Sequence, residues 1–272
     1  MPDPFDALRI GRNAVNPPDD FAGRLRGRLR EELGLMSVPT TTTASGLREL
    51  YYATITVQDL DRGLRFFNEL FGWTPNAPHV IGDRSYVNMN AGVSMGIHND
   101  PDSANLWFAA DDLEAALDAV RRAGGTVEEG GGDADSVVCH DDQGVRFGLG
   151  RQTYGPVTPI PSIPFDNIGY VTINVPDGLR GRRFYGDVLG WRFDGGLANP
   201  GYIAMPMGLA EGAAPGHTLF VKVADAAAKA DQVRALGGTA GEESTSESGI
   251  TIECTDDQGT YFALWQPAPA YS

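Results

Sequence analysis

The residues able to do acid–base, nucleophilic or metal chemistry are few and scattered. Four histidines, His79, His98, His140 and His217, stand in or beside predicted loops, with no two at the i, i+2 or i, i+4 spacing that aims two imidazoles at one ion. Histidine is the side chain suited to general-base work near neutral pH, yet His98 and His140 each lie beside Asp or Asn at a predicted strand end, where capping or surface exposure is expected. Lys222 lies among apolar neighbours on a predicted strand. Desolvation there would lower its pKa towards acid–base or imine chemistry, whereas a solvated edge lysine, the expected case, would stay an ordinary cation. Cys139 and Cys254 form no CxxC pair and no disulfide framework, and they read as small buried hydrophobes. Asp141-Asp142 and Asp256-Asp257 resemble carboxylate pairs, but the Gln-Gly after each marks a tight turn.

These groups sit in a duplicated frame. Thr54-Ile55-Thr56-Val57-Gln58-Asp59, then Arg65-Phe66-Phe67 and Phe71-Gly72-Trp73, return as Thr172-Ile173-Asn174-Val175-Pro176-Asp177, then Arg183-Phe184-Tyr185 and Leu189-Gly190-Trp191. Further on, Val120-Arg121 and Gly124-Gly125-Thr126 recur as Val233-Arg234 and Gly237-Gly238-Thr239. Cys139, Asp141-Asp142-Gln143-Gly144 and Phe147 recur as Cys254, Asp256-Asp257-Gln258-Gly259 and Phe262. Three blocks in the same order, displaced only by short loop indels, identify a tandem duplication. Within a copy, an alternating β-branched run (Ala53 to Val57) ends at an Asp that caps a helix, which Gly72 stops. Short strands follow at Ser85 to Asn90, Val93 to His98 and Asn105 to Ala109. A second helix, Leu113 to Ala123, leads to strands at Val137 to Cys139 and Val145 to Gly150. Each copy is thus two βαβββ units.

A chain of 272 residues, 42% hydrophobic and 21% charged, affords two folded modules and excludes a mainly disordered protein. The net charge of −15 argues against nucleic-acid binding. No apolar run reaches the ~18 residues of a membrane span, and no signal pattern opens the chain, so a cytoplasmic protein is expected. Residues 1–48 stand apart. Phe21, Leu25, Leu29 and Leu33 recur every four residues between arginines, predicting an amphipathic helix that Asp19-Asp20 can cap and Gly34 ends. Docking of that helix on its own acidic body is the expectation, with partner recruitment or membrane-surface binding as alternatives. The Thr40 to Thr43 run reads as a linker.

The ordered set of motifs resembles the vicinal oxygen chelate superfamily, which includes glyoxalase I, extradiol dioxygenases and the bleomycin and fosfomycin resistance proteins. The resemblance rests on the Val-x-Asp strand end, the aromatic pair in the helix, the Gly-Trp exit, Asp-Asp-Leu-Glu-Ala-Ala and the closing Asp-Asp-Gln-Gly-x-x-Phe-x-Leu. It covers residues 50 to 266. It implies an α+β fold of tandem glyoxalase-like modules, 49–153 and 164–268, each of two βαβββ units curled around a cleft, preceded by the helical extension. It also implies divalent-metal chemistry through His, Glu or Gln side chains facing that cleft. Here the family's first-strand His position holds Tyr52 and Tyr170, the mid-module His position Asn105 and Thr218, and the last-strand Glu position Gly148 and Ala263. A fourth ligand strand falls near Met95 and near Met207 to Glu211. None of the securely aligned positions keeps a ligand, so no metal and no other cofactor is expected.

Strand alternation from those positions selects the inward face: Tyr52, Thr54 and Thr56 with Asn105, Trp107 and Arg146 in module one, and Tyr170, Thr172, Asn174, Thr218, Phe220, Lys222, Tyr261 and Trp265 in module two. Tyr86 with Asn88, and Tyr202 with Ala204, add a third wall. Rings supply stacking area and a few hydroxyls and amides fix orientation, which suits a small, partly aromatic organic molecule. Each ring could equally be core that fills its cleft. Three functional readings stay open: a metal-independent binding protein like the drug-sequestering members of the superfamily, a metal-free lyase, isomerase or cyclase working through Tyr52, Lys222 or His98, or a structural or interaction protein whose N-terminal helix recruits a partner. A monomer or a homodimer fits any of them.

Overall fold

The computed structural model describes residues 48–76, 79–81, 84–90, 94–129, 135–151, 163–194, 197–198, 205–212 and 214–269. The expected N-terminal helix and Tyr202 lie outside them. Module one runs β1 (Leu50–Thr56), α1 (Leu60–Phe71), β2 (Thr74–Pro75), β3 (His79–Ile81), β4 (Arg84–Asn90), β5 (Ser94–His98), β6 (Leu106–Ala109), α2 (Leu113–Arg122), β7 (Thr126–Val127), β8 (Ser136–His140) and β9 (Arg146–Gly150). Module two repeats the order with β10 (Asn167–Val175), α3 (Gly178–Leu189), β11 (Phe193–Asp194), β12 (Leu197–Ala198), β13 (Met207–Glu211), β14 (Gly216–Lys222), α4 (Ala226–Ala235), β15 (Thr239–Ser246), β16 (Gly249–Thr255) and β17 (Tyr261–Pro267). The four βαβββ units are as expected, with β3 an added strand in the first. Among the described residues, no helix is long and apolar enough to cross a membrane.

Each module closes one sheet of its own. The orders are β2-β4-β5-β1-β6-β9-β8-β7, with β3 paired to β4, and β11-β12-β13-β10-β14-β17-β16-β15. The two units of a module therefore meet at the antiparallel β1–β6 and β10–β14 pairs. Local chemistry explains the helices. Asp59 sits in extended backbone and accepts from the Arg62 N–H, while Gly72 at φ 71° turns the chain out of α1. Asp177 and Gly190, at φ 72°, do the same for α3. Asp112 and Asp225 cap α2 and α4.

The core is exchanged between the modules. Phe66, Phe67 and Phe71 of α1 surround Phe262 of β17, with ring centroids 6.4, 5.7 and 5.9 Å away. Reciprocally, Phe184 and Tyr185 of α3 pack on Phe147 of β9 at 6.0 and 6.1 Å. All six are buried. The Gly-Gly pairs after α2 and α4 make room for this. A Cβ on Gly125 would press against the Phe184 ring, and one on Gly238 against Phe66. Trp73 and Trp191 donate their indole N–H across the boundary, to Asp166 O at 2.6 Å and Arg48 O at 3.3 Å.

The Asp-Asp-Gln-Gly turns complete the junction. Gln258 accepts from the Asp59 N–H (2.6 Å) and donates to Asp59 O (3.1 Å), while Asp257 pairs with Arg62 at 2.7 Å. In mirror fashion Gln143 brackets Asp177 at 2.7 and 3.0 Å, and Asp142 pairs with Arg180 at 2.9 Å. The closing turn of each module thus holds the first-helix start of the other. The preceding Asp is buried and shapes its own turn. Asp141 Oδ1 accepts from the Gln143 and Val145 N–H groups and its Oδ2 from the Tyr185 hydroxyl at 3.0 Å. Burial and that carboxylate drive the Tyr185 pKa well above its usual value.

Asp256 breaks the symmetry. Its Oδ1 accepts from the Gln258 and Thr260 N–H groups, but its Oδ2 is sealed without a partner, because Phe67 stands where the repeat has Tyr185. A sealed, unpaired acceptor costs roughly 1–3 kcal/mol. Phe67→Tyr is therefore expected to raise unfolding free energy by about 1 kcal/mol, and Tyr185→Phe to lower it by at least as much. Urea unfolding at unchanged m-value is the measurement, and a destabilised Phe67→Tyr would contradict the symmetry argument.

Candidate functional site

The pleat divides each central strand between two environments. In β1, Ala53, Ile55 and Val57 are buried on the helix side, while Tyr52, Thr54 and Thr56 face the concave side. β5 delivers His98 opposite Thr56, β4 delivers Tyr86 and Asn88, and β6 delivers Trp107, with Asn105 just before it. Tyr52, Thr56, Tyr86, Asn88, Asn105 and Trp107 are all half-buried, as a lined concavity requires.

One network organises this cup. His98, fully buried, accepts the Asp100 N–H on Nδ1 at 3.1 Å, so its proton sits on Nε2. Nε2 lies 3.0 Å from Thr54 Oγ1 and 3.2 Å from Asn105 Oδ1. Thr54 and Thr56 also donate to Asn105 Oδ1, at 3.0 and 2.8 Å. Beside them the Tyr52 hydroxyl donates to Asn88 Oδ1 at 2.6 Å, and Tyr86 donates to Asp100 Oδ2 at 2.8 Å with its ring 5.1 Å from that of His98. Trp107 is pinned by its N–H to Ala104 O at 2.8 Å and lies flat where a Gly148 side chain would be; Tyr52 likewise covers Gly96.

Module two arranges a different cup. Tyr170 packs on Phe220 at 5.7 Å, and Asn174 bridges Thr172 and Thr218 at 3.0 Å each, using both ends of its amide. Trp265 donates to Ser248 O at 3.1 Å. Burial pushes Tyr52 and Tyr170 up to about 12, so both hydroxyls stay protonated at neutral pH.

Several expectations change. His98 is not a capping or surface residue: it ends β5 inside the cup, 0% exposed, where both ring nitrogens find partners in Thr54, Asn105 and the Asp100 N–H. Lys222 is not solvated either. It is 8% exposed and lies over the Phe165 ring at 5.0 Å, a neighbour on the segment before β10 that spacing alone does not place. Tyr261 does lie on the inward face, hydrogen-bonded to Thr218, but at its edge, 43% exposed. Arg146 turns away to Pro101 O and to Glu128. His217 faces the helix side, as alternation requires, and crowding there lowers it to about 4. Cys139 and Cys254 are buried, as expected. Sequence reasoning missed Asp100; its place two residues after His98 was the available signal.

The side chains present do not fit a divalent metal. Among the described residues no group of three His, Cys, Asp or Glu converges, and the inherited positions offer phenols, amides and threonines. An open depression of about 360 Å³, lined by Thr56, Gln58, Asn99, Pro101, Gln258 and Thr260 among others, adjoins cup one at the module seam.

Comparison with known proteins agrees with this architecture. The glyoxalase-like domain family matches residues 52–150. The 2,3-dioxygenase LapB from Pseudomonas sp. KL28 superposes with a TM-score of 0.56 at 15% identity, over 85% of this chain and 97% of that one. A catechol 2,3-dioxygenase gives 0.54 at 18%, over 83% and 91%. The Mn(II)-bound glyoxalase from Novosphingobium aromaticivorans gives 0.53 at 14%, over 81% and 82%. At these identities the likeness is one of fold. No curated protein matches the chain.

The buried imidazoles predict an acid limit. Desolvation holds His98 below its ordinary 6.5, against the raising effects of the Asn105 hydrogen bond and Asp100. The unfolded chain therefore binds these protons first, so each contribution is intact above pH ~6.5 and stability falls as pH drops below it, for His217 down to about 4. His98→Asn keeps an acceptor for the Asp100 N–H without titrating. It should flatten the upper part of that fall in thermal midpoint against pH.

Proposed function

The chain is a two-module protein of the vicinal oxygen chelate fold, with a glyoxalase-like domain at residues 52–150, and from that premise we propose that it binds a small, partly aromatic organic molecule without a metal ion. The observation that carries this reading is the half-buried set of Tyr52, Tyr86, Asn88, Asn105 and Trp107 on the face where the fold family keeps ligands. Rings and neutral polar groups of this kind bury a ligand's apolar surface and fix its orientation. Cup two, with Tyr170, Asn174, Phe220, Lys222 and Trp265, offers rings with a cation and forms a second site.

Catalysis finds less support. Tyr52 keeps its proton, His98 has its Nδ1 lone pair committed to a backbone N–H, and Lys222 rests on a ring. A general base needs an available lone pair near the operating pH. Lyase, isomerase or cyclase chemistry would have to displace one of these contacts first.

Calorimetric titration with Mn(II), Fe(II) and a panel of aromatic metabolites tests the proposal. Aromatic ligands should bind chelator-treated protein unchanged, and Trp107→Ala should weaken the cup-one component by about 1–3 kcal/mol while leaving the cup-two component intact. Stoichiometric, tight Mn(II) or Fe(II) binding, or a panel without a single binder, would overturn it.

A further inference from the structure

The hydrogen-bond bookkeeping of cup one leaves two side-chain amide donors unspent. Asn105 Oδ1 receives Thr54, Thr56 and the His98 Nε2–H, and the Asp100 N–H fixes that imidazole tautomer. These donors set the amide's orientation, so the NH2 points away from them. Asn88 is oriented in the same way, its Oδ1 taken by the Tyr52 hydroxyl. Neither amide nitrogen has a protein partner among the described residues, and neither is sealed from solvent. Asn88 and Asn105 stand at the two ends of one row across the sheet, since Asn88 pairs with Gly96, Gly96 with Thr54, and the Thr54 N–H with Asn105 O, and the Tyr52 hydroxyl lies over Gly96 between them. Cup two has no such surplus, because Asn174 spends both ends of its amide on Thr172 and Thr218.

We infer that cup one is a site selective for a neutral carbonyl oxygen carried on an aromatic ring, received by the amide nitrogen of Asn105 with the ring against Trp107, two residues on along the same face. This rests on the reading that cup one binds a small molecule and adds the ligand's chemical class. A cation would meet the Asn105 N–H rather than a lone pair. A carboxylate would meet the Asp100 carboxylate and a chain of net charge −15. A carbonyl satisfies the Asn105 donor without bringing charge. A site built to hydrogen-bond an oxygen rejects the analogue lacking it, because its donors are then left unpaired.

The probes are acetophenone, its isostere α-methylstyrene with CH2 in place of the oxygen, benzoate and benzylammonium. Their binding is followed by tryptophan fluorescence in a Trp265→Phe background, where the remaining Trp73 and Trp191 are buried in the core and Trp107 faces the cup, and by the side-chain amide NMR signal of Asn105. Acetophenone should bind at least about tenfold more tightly than the other three and shift that signal. Asn105→Asp keeps the Oδ1 acceptor and swaps the NH2 for an oxygen. It should remove the preference over α-methylstyrene and favour benzylammonium. Equal binding of acetophenone and α-methylstyrene, an unchanged preference in Asn105→Asp, or no response to any probe at millimolar concentration overturns the inference. The wider proposal then stands or falls on the calorimetric panel alone.

Discussion

Neither sheet of this protein finishes its core by itself. The rings of α1 reach Phe262 and those of α3 reach Phe147, so the apolar surface that stabilises one module is completed by side chains of the other. The glutamine brackets at Asp59 and Asp177 set the register of this exchange with paired backbone hydrogen bonds, while the flanking Arg–Asp pairs are partly exposed and add little energy. Position comes from the glutamines and stability from the rings. The cups inherit their shape from this arrangement, because the helix-side burial of Ala53, Ile55 and Val57 turns Tyr52, Thr54 and Thr56 the other way.

The two cups have diverged within one frame. Cup one locks its polar groups through a buried imidazole and leaves amide nitrogens unspent, whereas cup two closes its amide on two threonines and carries a lysine against a ring. Fold and backbone register are shared, so the difference lies in a handful of inward positions. Chemistry in such a protein is written on the site rather than on the fold. Dioxygenases and a Mn(II)-bound glyoxalase share the architecture at identities below 20% with inward positions free to differ.

Much of the fold was legible because duplication made it so. Asp59 and Asp177 read as caps, Gly72 and Gly190 as stops, and alternation along β1 and β10 placed the inward tyrosines and threonines, all from local spacing. The role of Gln143 and Gln258 was not legible. A turn residue announces its turn, but its partner lies about two hundred positions away for Gln258, a long-range contact that no periodicity encodes. His98 and Lys222 were placed at the surface for the same reason. Their burial depends on Asn105 and Phe165, which approach only once the sheet has curled.

Trp107 lies in the space above Gly148, and Tyr52 in the space above Gly96, so tightly that even a methyl group at either glycine would overlap a ring or hydroxyl. A single codon change that placed a carboxylate at Gly148 would therefore meet an occupied volume, and the protein would lose packing before gaining a ligand. Building a chelating group there would need the indole to shrink first, a step with its own loss and no reward until the second. Sterics of this sort make sequence change directional: a ring that fills the room beside a glycine holds that glycine in place.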